Sequence, residues 1–192
     1  MLSVFGLGLA APAATSAATV FKGASSDGST VFFETDEQLV SGDTDSSIDI
    51  YERSGGITTQ VSQGQINGNG AFGVSFARAS SDGSRVFFRT DERLVDDDTD
   101  GGWADIYERS GGATTLVSAQ GNGARDAFFG GASSDGSTAF FASGESLFSG
   151  DMDSSTDVYE RSAGTTTQVS QGETNGNGAF GVSFARVSSD GL

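Results

Sequence analysis

One tetrapeptide, Ser-Ser-Asp-Gly, occurs four times in this sequence and defines its internal period. The copies begin at residues 25, 80, 133 and 188, so successive copies are 55, 53 and 55 residues apart. Asp-Gly between apolar runs is a strong signal for a β-hairpin, because the turn requires a positive φ that glycine adopts without steric cost. A hairpin that recurs at this interval predicts a repeat architecture.

The second unit shows the strand plan that each repeat is predicted to follow. Residues 73–79 alternate apolar and polar side chains and predict a strand, and residues 84–90 predict a second strand after the turn. An acidic loop covers residues 91–104, followed by a third strand at 105–109, a Gly-Gly turn and a fourth strand at 113–118. In units one and three, the third strands are predicted at 49–53 and 157–161 and the fourth strands at 57–62 and 165–170.

Four antiparallel strands in each repeat are typical of a β-propeller blade. The predicted fold is therefore all-β, with three four-stranded antiparallel blades at residues 19–63, 73–118 and 127–170 and a partial unit at 180–192 that contributes one extra first strand. Such a propeller would be incomplete or open. Open strand edges invite pairing with another chain, so we expect either self-association through these edges or membership of a longer array.

The first 18 residues resemble a signal peptide, since an apolar segment is followed by an alanine-rich run that ends at Ala18. A disordered tail is the alternative for this segment. Its apolar part is too short to cross a bilayer as a helix, so no membrane insertion is expected. We predict an exported protein, located outside the cell, on its surface or in the periplasm.

Charge and missing residue types exclude several classes of function. The net charge is −16 with a single lysine, Lys22, which disfavours nucleic acid as a partner because neutralising phosphates requires clustered basic side chains. The sequence has no Cys and no His. Their absence excludes disulfides, thiolate nucleophiles, Ser-His-Asp triads and the usual zinc ligands.

The order Ser-Asp-Gly, Phe-Phe, Asp-Ile-Tyr and Gly-Gly-x-Thr-Thr-x-Val-Ser resembles the TolB-like, WD-type propeller repeats of bacterial surface and periplasmic proteins. The resemblance covers residues 19–191. Those repeats usually carry Pro before Asp-Gly, whereas this chain has Ser26, Ser81, Ser134 and Ser189 there. The resemblance implies a propeller fold and leaves the activity open, because propellers host many functions.

The acidic loop between the second and third strands is the candidate functional site. Its candidate metal ligands are Asp43, Asp45 and Asp49 in unit one, Asp96, Asp98, Asp100 and Asp105 in unit two, and Asp151, Asp153 and Asp157 in unit three. Alternating carboxylates in a tight loop converge on one point and suit Ca²⁺, which takes 6–8 oxygen ligands. The loops resemble the calcium hairpins of FG-GAP repeats in integrin-type propellers, which implies a structural ion. The alternative is that these aspartates are solvated turn residues.

Other repeated residues are interpreted as structural. The Tyr-Glu-Arg triplets at 51–53, 107–109 and 159–161 recur in every unit, whereas a catalytic residue is needed once, so we predict salt bridges and packing between blades. The single tryptophan, Trp103, interrupts an acidic loop and is either an exposed contact or a packed loop residue.

No paired acid and base stands out from the repeat, so no catalytic residue is assigned and we do not expect an enzyme. The predicted function is a propeller scaffold of an exported or surface protein that binds a protein or a polysaccharide. The alternative is a fragment of a propeller hydrolase or lyase, or the propeller gate of a peptidase.

Overall fold

A computed structural model describes residues 18–119, 124–147, 149–174, 178–185 and 188. The predicted signal segment at 1–18 lies almost entirely outside these residues, as does the fourth Ser-Asp-Gly turn. The strands are β1 (Val20–Ala24), β2 (Thr30–Thr35), β3 (Asp49–Ser54), β4 (Ile57–Gln60), β5 (Val74–Ala79), β6 (Arg85–Thr90), β7 (Asp105–Ser110), β8 (Ala113–Leu116), β9 (Ala127–Ala132), β10 (Thr138–Ser143), β11 (Asp157–Ser162) and β12 (Thr165–Gln168). Over the same residues, no helix has the length and apolar character needed to cross a membrane.

Each group of four consecutive strands forms one antiparallel sheet. The three sheets have the orders β1-β2-β3-β4, β5-β6-β7-β8 and β9-β10-β11-β12, so every strand pairs with its neighbour in the chain. This arrangement confirms the predicted all-β fold with three four-stranded antiparallel blades. We call them blades 1, 2 and 3.

The fourth strands are two residues shorter than predicted, because a serine hydroxyl takes the place of a backbone carbonyl as the last acceptor of the ladder. After Gln60 the amide of Val61 still donates to the carbonyl of Ile50 at 2.8 Å. The amide of Ile50, however, donates to the hydroxyl of Ser62 at 2.9 Å. The backbone therefore leaves the sheet at the point where this hydroxyl substitutes for a carbonyl.

The predicted extra strand is not formed in residues 181–185, the part of it that the structure describes. The segment lies beside blade 3, where the amide of Val182 donates to the carbonyl of Thr156 at 2.9 Å. A strand requires a hydrogen-bonded neighbour along its length, and none of the described strands pairs with this segment in a backbone ladder.

The Ser-Ser-Asp-Gly turn is a four-residue loop built around an Asp side chain. The amide of Gly28 donates to the carbonyl of Ser25 at 2.9 Å, and Asp27 Oδ1 accepts from the amide of Ser29 at 2.9 Å. Gly28 has a φ of +72°, and the equivalent Gly83 and Gly136 have +75° and +70°. The prediction that glycine supplies the positive φ is confirmed.

The hydrophobic core lies between the blades. One cluster joins Phe32, Ile50 and Val61 of blade 1 to residues of blade 2 that include Phe88 and Leu94. A second cluster joins Phe87, Ile106 and Val117 of blade 2 to residues of blade 3 that include Phe141 and Leu147. Phe87 and Phe88 of blade 2 point to opposite faces, because side chains alternate along a strand, and the pair thereby contacts both neighbouring blades.

Substitutions at the equivalent glycines Gly28 and Gly83 would test how closely blades 1 and 2 approach each other. An added Cβ at Gly83 would lie 3.2 Å from Ser25 Cβ and 3.4 Å from Thr30 Cβ, both in blade 1, whereas one at Gly28 would meet open space. Gly28→Ala is expected to cost about 1–2 kcal/mol from the left-handed backbone alone. Gly83→Ala is expected to cost about 1–3 kcal/mol more through overpacking. The free energy of unfolding is measured in urea. Equal losses for the two variants would show that the neighbouring blade does not constrain the turn at Gly83.

Candidate metal centre

Three aspartates come together at the same place in each blade. The clusters are Asp43, Asp45 and Asp49 in blade 1, Asp98, Asp100 and Asp105 in blade 2, and Asp151, Asp153 and Asp157 in blade 3. In each cluster one carboxylate oxygen per residue lies within 4.8 Å of the others. The first and third aspartates are buried, and the second is half-buried.

A buried tyrosine orients the first aspartate of each cluster. In blade 2 the hydroxyl of Tyr107 donates to Asp98 Oδ2 at 2.5 Å, and in blade 3 the hydroxyl of Tyr159 donates to Asp151 Oδ2 at 2.5 Å. Tyr51 makes the same bond to Asp43. Each tyrosine stands two residues after the third aspartate, so both side chains lie on the same face of the strand.

A serine from the end of the blade orients the third aspartate. In blade 1 the hydroxyl of Ser62 donates to Asp49 Oδ1 at 2.5 Å. The same bond joins Ser118 to Asp105 at 2.5 Å and Ser170 to Asp157 at 2.5 Å. One oxygen of each third aspartate, Oδ1, is thereby held in place, and the other, Oδ2, is buried without a hydrogen-bond partner.

The second aspartate is held by its own loop in blades 1 and 3. The amide of Ser47 donates to Asp45 Oδ1 at 2.5 Å, and the amide of Ser155 donates to Asp153 Oδ1 at 2.6 Å. In blade 2 the loop passes instead through Gly101 and Gly102, which have φ values of +22° and +101°. Asp100 Oδ1 is buried there without a hydrogen-bond partner.

Every cluster contains a buried carboxylate oxygen without a hydrogen-bond partner. These are the Oδ2 atoms of Asp49, Asp105 and Asp157, joined by Asp153 Oδ2. The third aspartates are only 4–5% exposed. Water therefore has little access to these oxygens and does not supply the missing hydrogen bond. A buried acceptor without a partner costs about 1–3 kcal/mol, and more when the group is charged. A bound cation would satisfy these oxygens.

Burial and mutual repulsion oppose ionisation of these carboxyls. Burial raises the pKa of Asp105 from 3.8 to about 7, against the hydrogen bond from Ser118. Burial likewise raises the pKa of Asp49 to about 6, and burial together with Asp98 raises the pKa of Asp100 to about 6. A positive charge at the centre would reverse this effect, because an opposite charge nearby favours the ionised form.

A glutamate from the following blade adds negative charge at the edge of the cluster. Glu92 of blade 2 is 3% exposed, and its pKa is raised by burial and by the charges of Asp45 and Asp49 of blade 1. Its Oε1 accepts from the amide of Gly70 at 2.7 Å, in the segment that connects the two blades. Glu145 of blade 3 stands in the same relation to the blade 2 cluster, since its charge raises the pKa of Asp105. The clusters therefore lie at the junctions between blades.

The structure brings nine of the ten predicted aspartates into the three clusters. The tenth, Asp96, lies outside, because its side chain is 88% exposed and faces Arg93 with an N–O distance of 3.4 Å. Sequence reasoning missed the tyrosines and serines that orient the ligands and the glutamate from the next blade. Their signal was the fixed spacing of Asp-x-Tyr and Val-Ser in every unit.

The Tyr-Glu-Arg triplets contribute to packing between blades as predicted, since Tyr107 and Tyr159 belong to the interblade core clusters, and they make further contacts that were not predicted. The tyrosine belongs to the acidic cluster, and Glu108 forms its ion pair with Arg85 of the same blade, at 2.5 Å. Arg109 donates to the carbonyl of Gln63 in the segment between blades, at 3.3 Å. Charges of the triplets also attract across the junctions, since Glu52 of blade 1 acts on Arg109 of blade 2 and Glu108 of blade 2 acts on Arg161 of blade 3.

A second surface feature lies where unit two departs from the repeat. Trp103 is 43% exposed and Phe128 is 54% exposed, and both line a cleft with Arg125, Asp126 and Thr156. The guanidinium of Arg89 lies 5.2 Å from the centre of the Phe128 ring. The cleft combines apolar rings with both signs of charge.

No protein-family model matches this sequence, and no curated protein matches it. The resemblance to the TolB-like, WD-type repeats therefore stays a prediction. Among solved structures the chain is similar to one from a structural and mechanistic analysis of two prolyl endopeptidases, with a TM-score of 0.32 and 12% identity. The alignment covers 80% of this chain and 30% of that one. At this level of similarity no function is transferred.

Proposed function

We propose that this chain is a non-enzymatic β-propeller module in which Ca²⁺ binds the acidic cluster of each blade. The observation that carries the proposal is the buried, unpartnered Oδ2 of Asp49, Asp105 and Asp157, repeated at the same place in three blades. All the donors are carboxylate oxygens, which suit Ca²⁺ or Mg²⁺. Ca²⁺ tolerates irregular geometry and a higher coordination number than Mg²⁺, so it suits three carboxylates of one loop better than an ion that demands a strict octahedron.

The repetition supports a structural role. A reaction needs one site at which acid, base and substrate meet, whereas here the same cluster recurs at each blade. Calcium sites of extracellular modules bind at about 10⁻⁴–10⁻³ M, so an exported or surface location predicts an affinity in that range. The proposed partner is a protein or a polysaccharide, and the aromatic cleft around Trp103 is the candidate contact.

Asp98→Asn and Asp96→Asn form a matched pair for the metal site. Both remove one negative charge from the same loop, but Asp98 belongs to the cluster and Asp96 does not. We expect Asp98→Asn to lower the calcium stoichiometry from three to two in isothermal titration calorimetry, since each blade has one cluster. A ligand at 100 times its Kd stabilises the native state by about 2.7 kcal/mol, so the calcium-induced rise in Tm should shrink as well.

Asp96→Asn should retain three sites and the full rise in Tm. Asparagine at 98 can still accept the hydrogen bond from Tyr107, so loss of folding is not the expected cause of the difference. If both variants bind calcium as the wild type does, or if the wild type binds none, the proposed metal centre is wrong.

A further inference from the structure

Each blade has two apolar faces, and at each end of the described array one of these faces has no complete blade against it. We call the face toward the preceding blade the leading face and the face toward the following blade the trailing face. The leading faces comprise Val31, Phe33 and Leu39 in blade 1, Val86, Phe88 and Leu94 in blade 2, and Ala139, Phe141 and Leu147 in blade 3. The trailing faces comprise Phe32, Ile50 and Val61, then Phe87, Ile106 and Val117, then Phe140, Val158 and Val169.

Exposure separates the covered faces from the uncovered ones. Leu94 and Leu147 are 0% and 1% exposed, whereas Leu39, the equivalent residue of blade 1, is 40% exposed. On the trailing side, Val61 and Val117 are both 2% exposed, whereas Val169 of blade 3 is 49% exposed. The leading face of blade 1 and the trailing face of blade 3 are therefore the two halves of an interface that the chain forms twice internally.

A phenylalanine from each first strand packs into the preceding blade at that interface. The ring of Phe76 lies 5.9 Å from that of Phe32, and the ring of Phe129 lies 5.5 Å from that of Phe87. Phe21 occupies the same position in blade 1, where it pairs with Phe33 as Phe76 pairs with Phe88. Phe21 is 66% exposed.

A row of backbone hydrogen bonds crosses the same interfaces. The amide of Ser26 donates to the carbonyl of Ser81, and the amide of Ser81 donates to the carbonyl of Ser134, both at 2.7 Å. Within the described residues the row has two open ends, the carbonyl of Ser26 and the amide of Ser134. These are a complementary acceptor and donor at opposite ends of the array.

Phe184 partly covers the trailing face of blade 3. Its ring lies 6.4 Å from that of Phe140, in the position that Phe76 and Phe129 take on the other blades. An apolar cleft of about 250 Å³ remains beside it, lined by Val158, Val169 and Val182 among others. A segment without a sheet behind it covers less of the face than a complete blade does.

We propose that the leading face of blade 1 binds the trailing face of blade 3 of a second copy of this chain, with Phe21 in the position of Phe184. The contact is heterologous, because two different surfaces meet. If both ends of each array pair in this way, the three described blades of the two chains add up to six, within the four to eight of known propellers. This inference concerns blade faces instead of strand edges, and it does not depend on the proposed calcium sites.

The absence of cysteine allows a direct test by disulfide crosslinking. In the proposed dimer Ser134 of one chain lies beside Ser26 of the other, as Ser81 lies beside Ser26 within one chain. Residues joined by a short backbone hydrogen bond have Cα atoms within disulfide range. We expect oxidation of the full-length Ser26→Cys/Ser134→Cys protein to yield covalent dimers in a non-reducing gel, and Ser26→Cys/Ser81→Cys to yield an internal disulfide in a monomer.

A second test of the dimer uses the variant Phe21→Ser, with Ile57→Ser as its matched control. Both residues are exposed, at 66% and 67%, but only Phe21 lies on the leading face. Phe21→Ser should reduce dimer formation about tenfold or more in light scattering, since burying a phenylalanine side chain is worth about 1.5–3 kcal/mol. Ile57→Ser should leave dimer formation unchanged. A monomer at all concentrations without the intermolecular disulfide would overturn the proposal, as would equal effects of the two serine variants.

Discussion

Phe88→Ala is expected to lower the free energy of unfolding by about 3–5 kcal/mol. The side chain is 0% exposed and belongs to the core cluster that joins blades 1 and 2. Its ring also stacks on Tyr107 at a centroid distance of 5.8 Å. Truncation therefore removes contacts within blade 2 and between blades. It also leaves a cavity that cannot close, because β6 is hydrogen-bonded to a strand on each side. Domains of this size have about 5–15 kcal/mol of stability, so the loss is a large share of the total.

Urea unfolding followed by circular dichroism measures this loss, and Phe128→Ala is the control. Phe128 is 54% exposed and contributes a surface contact with Arg89, so its truncation should cost about 1 kcal/mol or less. A loss below about 1 kcal/mol for Phe88→Ala would place it in the range of ordinary surface substitutions and contradict an interblade core at this position.

The metal-free protein is expected to become less stable as the pH rises from about 4 to about 7. The pKa of Asp105 is raised to about 7, and those of Asp49 and Asp100 are raised to about 6. A raised pKa in the folded state means that the native protein holds protons that the unfolded chain has released, so stability falls as pH rises through this window. Each pKa unit corresponds to about 1.4 kcal/mol, so Asp105 alone accounts for roughly 4 kcal/mol.

The aspartates of the three described Ser-Ser-Asp-Gly turns titrate in a different pH range. Hydrogen bonds from neighbouring serines lower the pKa of Asp27, Asp82 and Asp135 to about 2. These turn aspartates contribute stability that is lost only as the pH falls below about 4. The two sets of carboxyls therefore act in separate ranges and with opposite sign.

Thermal melts in EDTA at pH 5 and pH 8 measure the effect, and a drop of roughly 10 °C is expected for a chain of this size. Millimolar CaCl₂ should restore Tm at pH 8 and have a smaller effect at pH 5, because protons compete for the same oxygens. Asp105→Asn should raise Tm in EDTA at pH 8 and weaken the calcium response. A Tm in EDTA that is independent of pH, or that rises from pH 5 to pH 8, would contradict the buried state of these carboxyls.

The position of the clusters links the metal centres to the contacts between blades. The loop of Asp45 also binds the segment between blades 1 and 2, where the amide of Thr44 donates to Asn69 Oδ1 at 2.6 Å. Glu92 holds the same segment from the other blade. If calcium binds the clusters as proposed, we expect its removal to loosen the junctions between blades before the sheets.

Local residue patterns were sufficient to predict the strands and most of the ligands. The period of the Ser-Ser-Asp-Gly turn, the apolar runs around it and the paired glycines at 55–56 and 111–112 each specify structure over a few residues. In both glycine pairs φ is positive at both positions, as a tight hairpin requires. The aspartates were found because alternate carboxylates within seven residues need no tertiary information to be recognised as a cluster.

The completion of the site and the pairing of blade faces were decided by the tertiary structure. Ser62 stands 13 residues from Asp49, and Gly70 stands 22 residues from Glu92, so only the folded sheets bring these groups together. Asp96 and Asp98 are equivalent in the sequence pattern, yet one is solvated and the other is buried against Tyr107. Phe21 is 66% exposed, whereas the equivalent Phe76 is partly buried, because another blade lies against Phe76 alone.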